Sequence, residues 1–270
     1  PYYLFKNDSK KLEAFHIIFI KSLQILYLFK NHHMLTNKKK NKIYGFNMNK
    51  TNRIDNSKRF EFIRACLVHV PFDGWSQRSL ELAAEDCGLT NSDVSRMLPR
   101  GVTQAIEIYA NLADDDMVSA FKTRMINTES LPAGMTEKIK FMIIERLEQA
   151  LPHKEVVRKT IQYLCNPKHL QLSQRIFYKT IDRIWLEAGD ESTDFSFYTK
   201  RGLLGATYSS TLLFFLADKS GSIKNTSAFL DRRLKEISFI PKVTKPIEKQ
   251  AKVVFSGVGR IVSKLAKNLS

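Results

Sequence analysis

Leu203, Leu204, Ala206, Tyr208, Leu212, Leu213, Phe214, Phe215 and Leu216 crowd one short stretch of the chain, enough apolar groups to surround a helix on almost every side. A helix that is apolar all round must be buried, so the rest of the fold has to wrap it. It is either the central helix of a core or the wall of an apolar cavity. The residues themselves leave both open.

The remaining sequence supplies the wrapping as a series of helical stripes separated by Gly and Pro. Phe62, Ala65, Cys66 and His69 share a face of a first helix, ended by Pro71 and Gly74. Leu80, Ala83, Ala84 and Cys87 share a face of a second, with Gly88 in its C-terminal turn. Thr90 and Asp93 form a capping signal for a third, which Pro99 closes. This is the layout of a helix-turn-helix. A long helix follows through Val102, Ala105, Ile106, Tyr109, Leu112 and Ala113, and the run Asp114-Asp115-Asp116 is expected to break or cap it before Met117, Phe121 and Met125 resume the stripe. Ile139, Met142, Ile143, Leu147 and Ala150 mark the next helix, cut by Pro152, and Val156 to Leu164 another, ended by Asn166-Pro167. Phe177, Ile181, Ile184, Trp185 and Ala188 lead to Gly189, and the apolar helix over 195–217 comes after an acidic turn. No long stretch alternates with period two. The fold class is therefore all-α, a helical bundle with an N-terminal helix-turn-helix-like three-helix unit.

Charge divides the chain into three parts. The 43 Lys and Arg exceed the 27 Asp and Glu, but residues 1–50 hold ten Lys against Asp8 and Glu13, and residues 241–270 hold seven basic groups against Glu248. The body over 51–240 is nearly neutral. The first fifty residues contain neither Arg nor Val, and Met48 is an ordinary start, so 1–50 reads as a misassigned extension or a disordered basic tail. Over 241–270, Val254, Phe255, Val258, Ile261 and Leu265 fall on one helical face with Lys245, Lys249, Lys252, Arg260 and Lys267 opposite. That pattern suits a helix lying on an anionic membrane surface, the alternative being a packed terminal helix. The apolar run from Ile17 to Phe29 is too short and too polar to span a bilayer. Cys66, Cys87 and Cys165 have no C-x-x-C spacing and read as buried thiols in a reducing compartment.

The chemistry-bearing patterns are thin. In the three-helix unit Lys58, Arg59, Arg64, Arg78, Arg96 and Arg100 are balanced by Glu61, Asp73, Glu81, Glu85, Asp86 and Asp93. Nucleic acid is not an expected partner, because phosphate binding needs excess cation. No H-E-x-x-H pattern occurs, and E-x-x-H occurs once, at Glu13 and His16, where a di-iron bundle needs two, so no metal is expected. Gly257 and Gly259 lack the strand and third glycine of a nucleotide fingerprint. No catalytic residue and no cofactor are expected, and the protein reads as a non-enzyme.

Val70-Pro-Phe-Asp-Gly-Trp75, Ala188-Gly-Asp-Glu-Ser-Thr-Asp194 and Tyr198-Thr-Lys-Arg201 are the most specific runs, and Asp218-Lys-Ser with Thr226, Phe229 and Leu230 continues them. Together they resemble the coenzyme Q protein nine family of ubiquinone-biosynthesis accessory proteins, from about Arg59 to Arg233. The resemblance implies a TetR-like fold, for which the order Ala83-Ala84, Gly88-Leu89, Leu98-Pro99 also speaks. It implies a lipid, an isoprenoid quinone precursor or another, held beside the helix over 195–217, with Leu204, Tyr208, Leu212, Phe215 and Ile181 as binding residues. It implies docking of the di-iron demethoxyubiquinone hydroxylase at Asp182, Ile184, Trp185, Phe197, Tyr198 and Arg201. Many family members carry Trp where this chain has Phe197. From the residues alone Trp185 is as readily a core residue as an interface anchor. A homodimer is a further expected assembly, and the expected place is the inner membrane surface, on the cytoplasmic side in a bacterium or in the matrix of a mitochondrion. The reading from another class is a TetR-like transcriptional regulator with a hydrophobic effector, disfavoured by the neutral helix-turn-helix. A chain beginning at Met48 is expected to unfold at the same temperature as the full chain. A loss of several degrees would show that the first 47 residues pack.

Overall fold

The computed structural model describes residues 50–127, 134–190 and 195–236. The extension over 1–49 and the basic segment over 241–270 lie outside them. The ordered elements are α1 (Lys50–Asp73), α2 (Gln77–Asp86), α3 (Asn91–Met97), α4 (Val102–Asn127), α5 (Met135–Gln149), α6 (Lys154–Leu164), α7 (Leu170–Ala188), α8 (Phe195–Ala217) and a final helix, α9, over 224–236. Among the described residues there is no strand, and the fold is all-α.

Local chemistry sets most of the boundaries. Ser76 caps α2 and Thr90 caps α3, each in a reciprocal box with the residue three positions on, Ser79 and Asp93. Gly88 closes α2 with φ of 63°, which lets Leu89 donate to Ala84 O at 2.8 Å. Gly189 ends α7 in the same left-handed region, with φ of 93°.

Two boundaries differ from expectation. Pro71 lies inside α1, which continues to Asp73 before Gly74 turns the chain. A proline so near the end costs less than one in mid-helix, because it removes only the bond to the Leu67 carbonyl and just two helical residues follow it. The acidic run does not interrupt α4 either. Asp114 turns inward, its carboxylate 2.6 Å from Arg146 and accepting from Thr180 at 3.0 Å, while Asp115 pairs with Arg183 at 3.0 Å. Carboxylates satisfied by side chains of other helices have no cause to compete for the backbone of their own.

Buried apolar side chains form two clusters. Phe62, Ile63, Cys66, Val70, Trp75, Leu80, Met97 and Ile106 build the first, from α1 to α3 and the start of α4, with Val156 of α6 inserted. Met117, Phe121, Met142, Ile143, Ile181, Ile184, Leu204, Phe215 and Leu230 build the second, from α4, α5, α7, α8 and α9. α4 serves both, so the three-helix unit is packed onto the rest through a shared helix. α8 meets the demand set by its sequence: no described side chain between Lys200 and Leu216 is exposed.

α7 lies close against α8 at Gly205, where an added Cβ would sit 3.1 Å from the Phe177 ring. Phe177 is only partly buried and can yield by a few tenths of an ångström. Gly205→Ala should therefore change stability by less than about 1 kcal/mol, the steric cost offset by better helix propensity. Gly205→Leu should cost about 1–3 kcal/mol through overpacking. Urea denaturation of the two variants separates these outcomes.

Candidate functional site

α4 to α8 enclose a cavity of about 200 Å³. The small residues Ala110, Ala113 and Ala150 leave the room, and Val157, Ile161, Ile176, Phe177, Leu212 and Leu213 supply apolar walls. α8 presents Tyr208, Ser209, Leu212 and Leu213 to it, a face repeating every four residues, while its Leu204, Phe215 and Leu216 pack into the core. The helix is thus both a core element and a wall of the cavity.

One wall is polar. Arg146 reaches from α5 to Asp114 on α4, its Nη1 2.6 Å from Oδ1, and its Nε donates to the Tyr208 hydroxyl at 2.9 Å. Thr180 of α7 donates to the same carboxylate. Burial pulls the Arg146 pKa down, but Asp114 with the nearby Tyr208 and Tyr109 oxygens more than reverses this and holds it above the ordinary arginine value. The guanidinium is a fixed cation at any working pH. Tyr109 lines the cavity from α4, and burial pushes its phenol up to about 12, so it stays protonated and able to donate.

Of the five residues expected to meet a lipid, Tyr208 and Leu212 line this cavity. Leu204, Ile181 and Phe215 are buried in the surrounding core and do not line it. Tyr109, Arg146 and Thr180 escaped the sequence reading. A signal existed, since Arg146 continues the apolar spacing of Ile139, Ile143 and Ala150, and Asp114 that of Ile106, Ala110 and Val118. Opposite charges on the apolar faces of neighbouring helices point to a buried pair.

At the other end of α7 the expected partner residues do come together. Arg201, 5% exposed, lies 2.7 Å from Asp182 and 3.3 Å from Asp190, and its guanidinium carbon stands 3.3 Å from the centre of the Phe197 ring. Lys200 pairs with Asp190 at 2.7 Å and lies 5.8 Å from the centre of the Trp185 ring. Ile184 is fully buried and Trp185 and Phe197 nearly so, while Leu186 on the next position of α7 is exposed. The indole N–H of Trp185 is buried and meets no hydrogen-bond acceptor among the described residues. The Tyr198 side chain, and the membrane-surface residues Val254, Phe255, Val258, Ile261 and Leu265, lie outside what the structure describes. No described helix is long and apolar enough to cross a membrane, and no described group of three or more His, Cys, Asp or Glu is placed to hold a metal ion.

Comparison with known proteins adds a resemblance. The family model described as COQ9 matches residues 170–240, which is α7, α8, α9 and the few residues beyond. The ubiquinone biosynthesis protein COQ9, mitochondrial, of Xenopus tropicalis is 27% identical over 203 residues, covering 73% of this chain and 62% of that protein. Its counterpart in Homo sapiens is 24% identical over 204 residues, with 73% and 62% covered. A probable ubiquinone biosynthesis protein coq9, mitochondrial, of Dictyostelium discoideum is 27% identical over 192 residues, with 70% and 62% covered. The chain thus spans somewhat under two thirds of the length of these relatives.

Removing a cation from between two buried carboxylates is costly because their charge must then be held without it. Arg201→Met should lower stability by roughly 3 kcal/mol. Arg201→Lys should recover part of the charge but neither the two-sided pairing nor the stacking on Phe197. Guanidinium denaturation of both variants measures the difference, and an Arg201→Met protein as stable as the original would show that the cluster contributes nothing to the fold.

Proposed function

We propose that the chain, which resembles COQ9 proteins over 73% of its length, serves ubiquinone synthesis as a lipid-binding accessory protein without catalytic activity of its own. In this reading it takes up an isoprenoid quinone precursor and presents it to the di-iron demethoxyubiquinone hydroxylase at a membrane surface. The observation that carries it is the largely apolar cavity walled by α8, a helix that has no exposed side chain along its described central stretch. A cavity of about 200 Å³ lies below the roughly 300–1,000 Å³ of a site that encloses a whole drug-sized ligand. It suits one end of a long lipid, the remainder of which leaves through the opening.

The family match begins at the first residue of α7 and so covers the elements that bear the Asp182–Arg201–Asp190 cluster and much of the cavity wall. A single pair of helices would then serve both ligand and partner. Since Ile184 is fully buried and Trp185 and Phe197 nearly so, their part in docking would be to set the shape of the joint between α7 and α8 that the partner meets. The mitochondrial names of the relatives favour the matrix side of the inner membrane. Attachment there would fall to the basic apolar segment over 241–270.

Native mass spectrometry with solvent extraction of the purified protein tests lipid binding, and the same spectra report whether it is a homodimer. The expected result is a co-purifying isoprenoid lipid that Leu212→Glu abolishes while thermal unfolding shows the variant still folded. Extracts free of lipid from the unaltered protein would overturn the reading. For the partner, Phe197→Ala combined with Tyr198→Ala should lose hydroxylase binding and keep lipid. For the membrane, removal of residues 243–270 should abolish salt-sensitive sedimentation with anionic vesicles.

A further inference from the structure

The polar wall of the cavity has more hydrogen-bond donors than the protein uses. A tyrosine hydroxyl has one proton to donate and two lone pairs to accept with. That of Tyr208 accepts from Arg146 Nε at 2.9 Å, and its proton meets no acceptor among the described residues. That of Tyr109, a half-buried residue of the cavity lining, has no hydrogen-bond partner among them at all. Arg146 cannot serve as their acceptor, since a guanidinium carries none. Its bond to Tyr208 polarises that hydroxyl and strengthens it as a donor. Two phenols with uncommitted protons therefore line one apolar cavity, beside a fixed cation already balanced by Asp114.

The position of this wall matters as much as its chemistry. Thr180 and Tyr208 are buried, Arg146 nearly so and Tyr109 half-buried, whereas Cys165, also in the lining, is exposed. The donors thus belong to the more buried part of the lining and Cys165 to its exposed part. In size, about 200 Å³ exceeds the roughly 150 Å³ that accepts one benzene molecule, and so accommodates a single substituted ring.

We infer that the cavity binds its ligand ring first: a six-membered ring carrying a hydrogen-bond-accepting oxygen enters to the more buried part, where Tyr109 and Tyr208 donate to that oxygen, and any hydrocarbon tail trails out past Cys165. This rests on the lipid-binding reading above and fixes which end of the molecule is held. A tail-first ligand would leave both phenolic protons without acceptors inside an apolar site, a cost of the order of a lost hydrogen bond for each. Held in this way the ring is kept from solvent, and its delivery to an enzyme requires it to come back out through the opening.

The test compares three probes by titration calorimetry: acetophenone, a ring with an accepting oxygen; ethylbenzene, nearly the same shape without it; and farnesol, an isoprenoid without a ring. The intact protein should bind acetophenone about tenfold or more tighter than ethylbenzene. Tyr109→Phe should reduce that preference several-fold with no change in thermal unfolding, since its hydroxyl bonds nothing in the fold, and adding Tyr208→Phe should remove it. Ala113→Leu should fill the cavity and abolish acetophenone binding while leaving the protein folded. Equal binding of acetophenone and ethylbenzene, an unaltered preference in the double variant, or acetophenone binding that survives Ala113→Leu would each overturn the inference. Farnesol bound without any preference for the oxygenated ring would overturn the ring-first orientation and leave lipid binding standing. Failure to bind any probe would overturn both.

Discussion

The ion pair between Asp114 and Arg146 holds the architecture in register. It joins α4 to α5 directly, and through Thr180 and Tyr208 it reaches α7 and α8. Four helices are thus fixed about one buried charge pair. Such a pair gives little net stability over a well-packed apolar substitute, but loss of either member strands the other at a cost of several kcal/mol. It acts on geometry more than on energy: the contacts of Asp114 and Arg146 with Thr180 and Tyr208 set the four helices relative to one another. That arrangement also sets apart the small side chains of α4 and α5 and opens the cavity between them.

Features that depended on neighbours in sequence were legible, and those that depended on neighbours in space were not. Thr90 and Asp93, Gly88 and Gly189 act within a single turn of chain, so the helix ends they set could be read directly. The burial of the stretch up to Leu216 followed from its lack of a polar side. Asp114 was misread because three consecutive aspartates look like a helix stop unless Arg146, Thr180 and Arg183 are known to stand opposite. The cavity was invisible for a related reason. It is made by what Ala110, Ala113 and Ala150 lack, and alanine in a helix carries no sign of whether its neighbour fills the gap.

The two ends of α7 show how alike polar clusters can differ in use. Both Arg146 and Arg201 are buried arginines paired with aspartate, bonded or stacked to an aromatic ring. Around Arg201 the side chains close in, with Phe197 on the guanidinium face and Lys200 on the remaining carboxylate. Around Arg146 the aromatic partners are phenols that face open volume. The first arrangement spends its donors on the protein, whereas the second keeps some in reserve.

The first core cluster contains a residue that arrives late. Val156 is fully buried among side chains of α1 to α4, and the indole of Trp75 donates to Thr160 at 2.8 Å across a separation of 85 residues. As the polypeptide leaves the ribosome, α1 to α3 emerge well before α6, so the three-helix unit spends that interval with an open seam and an unsatisfied tryptophan. Contacts of such long sequence separation slow folding because the intervening loop must close first. The unit that resembles a free-standing module in the sequence is thus completed only when α6 has been synthesised, and nascent chains stalled before that point would expose the groove that Val156 later fills.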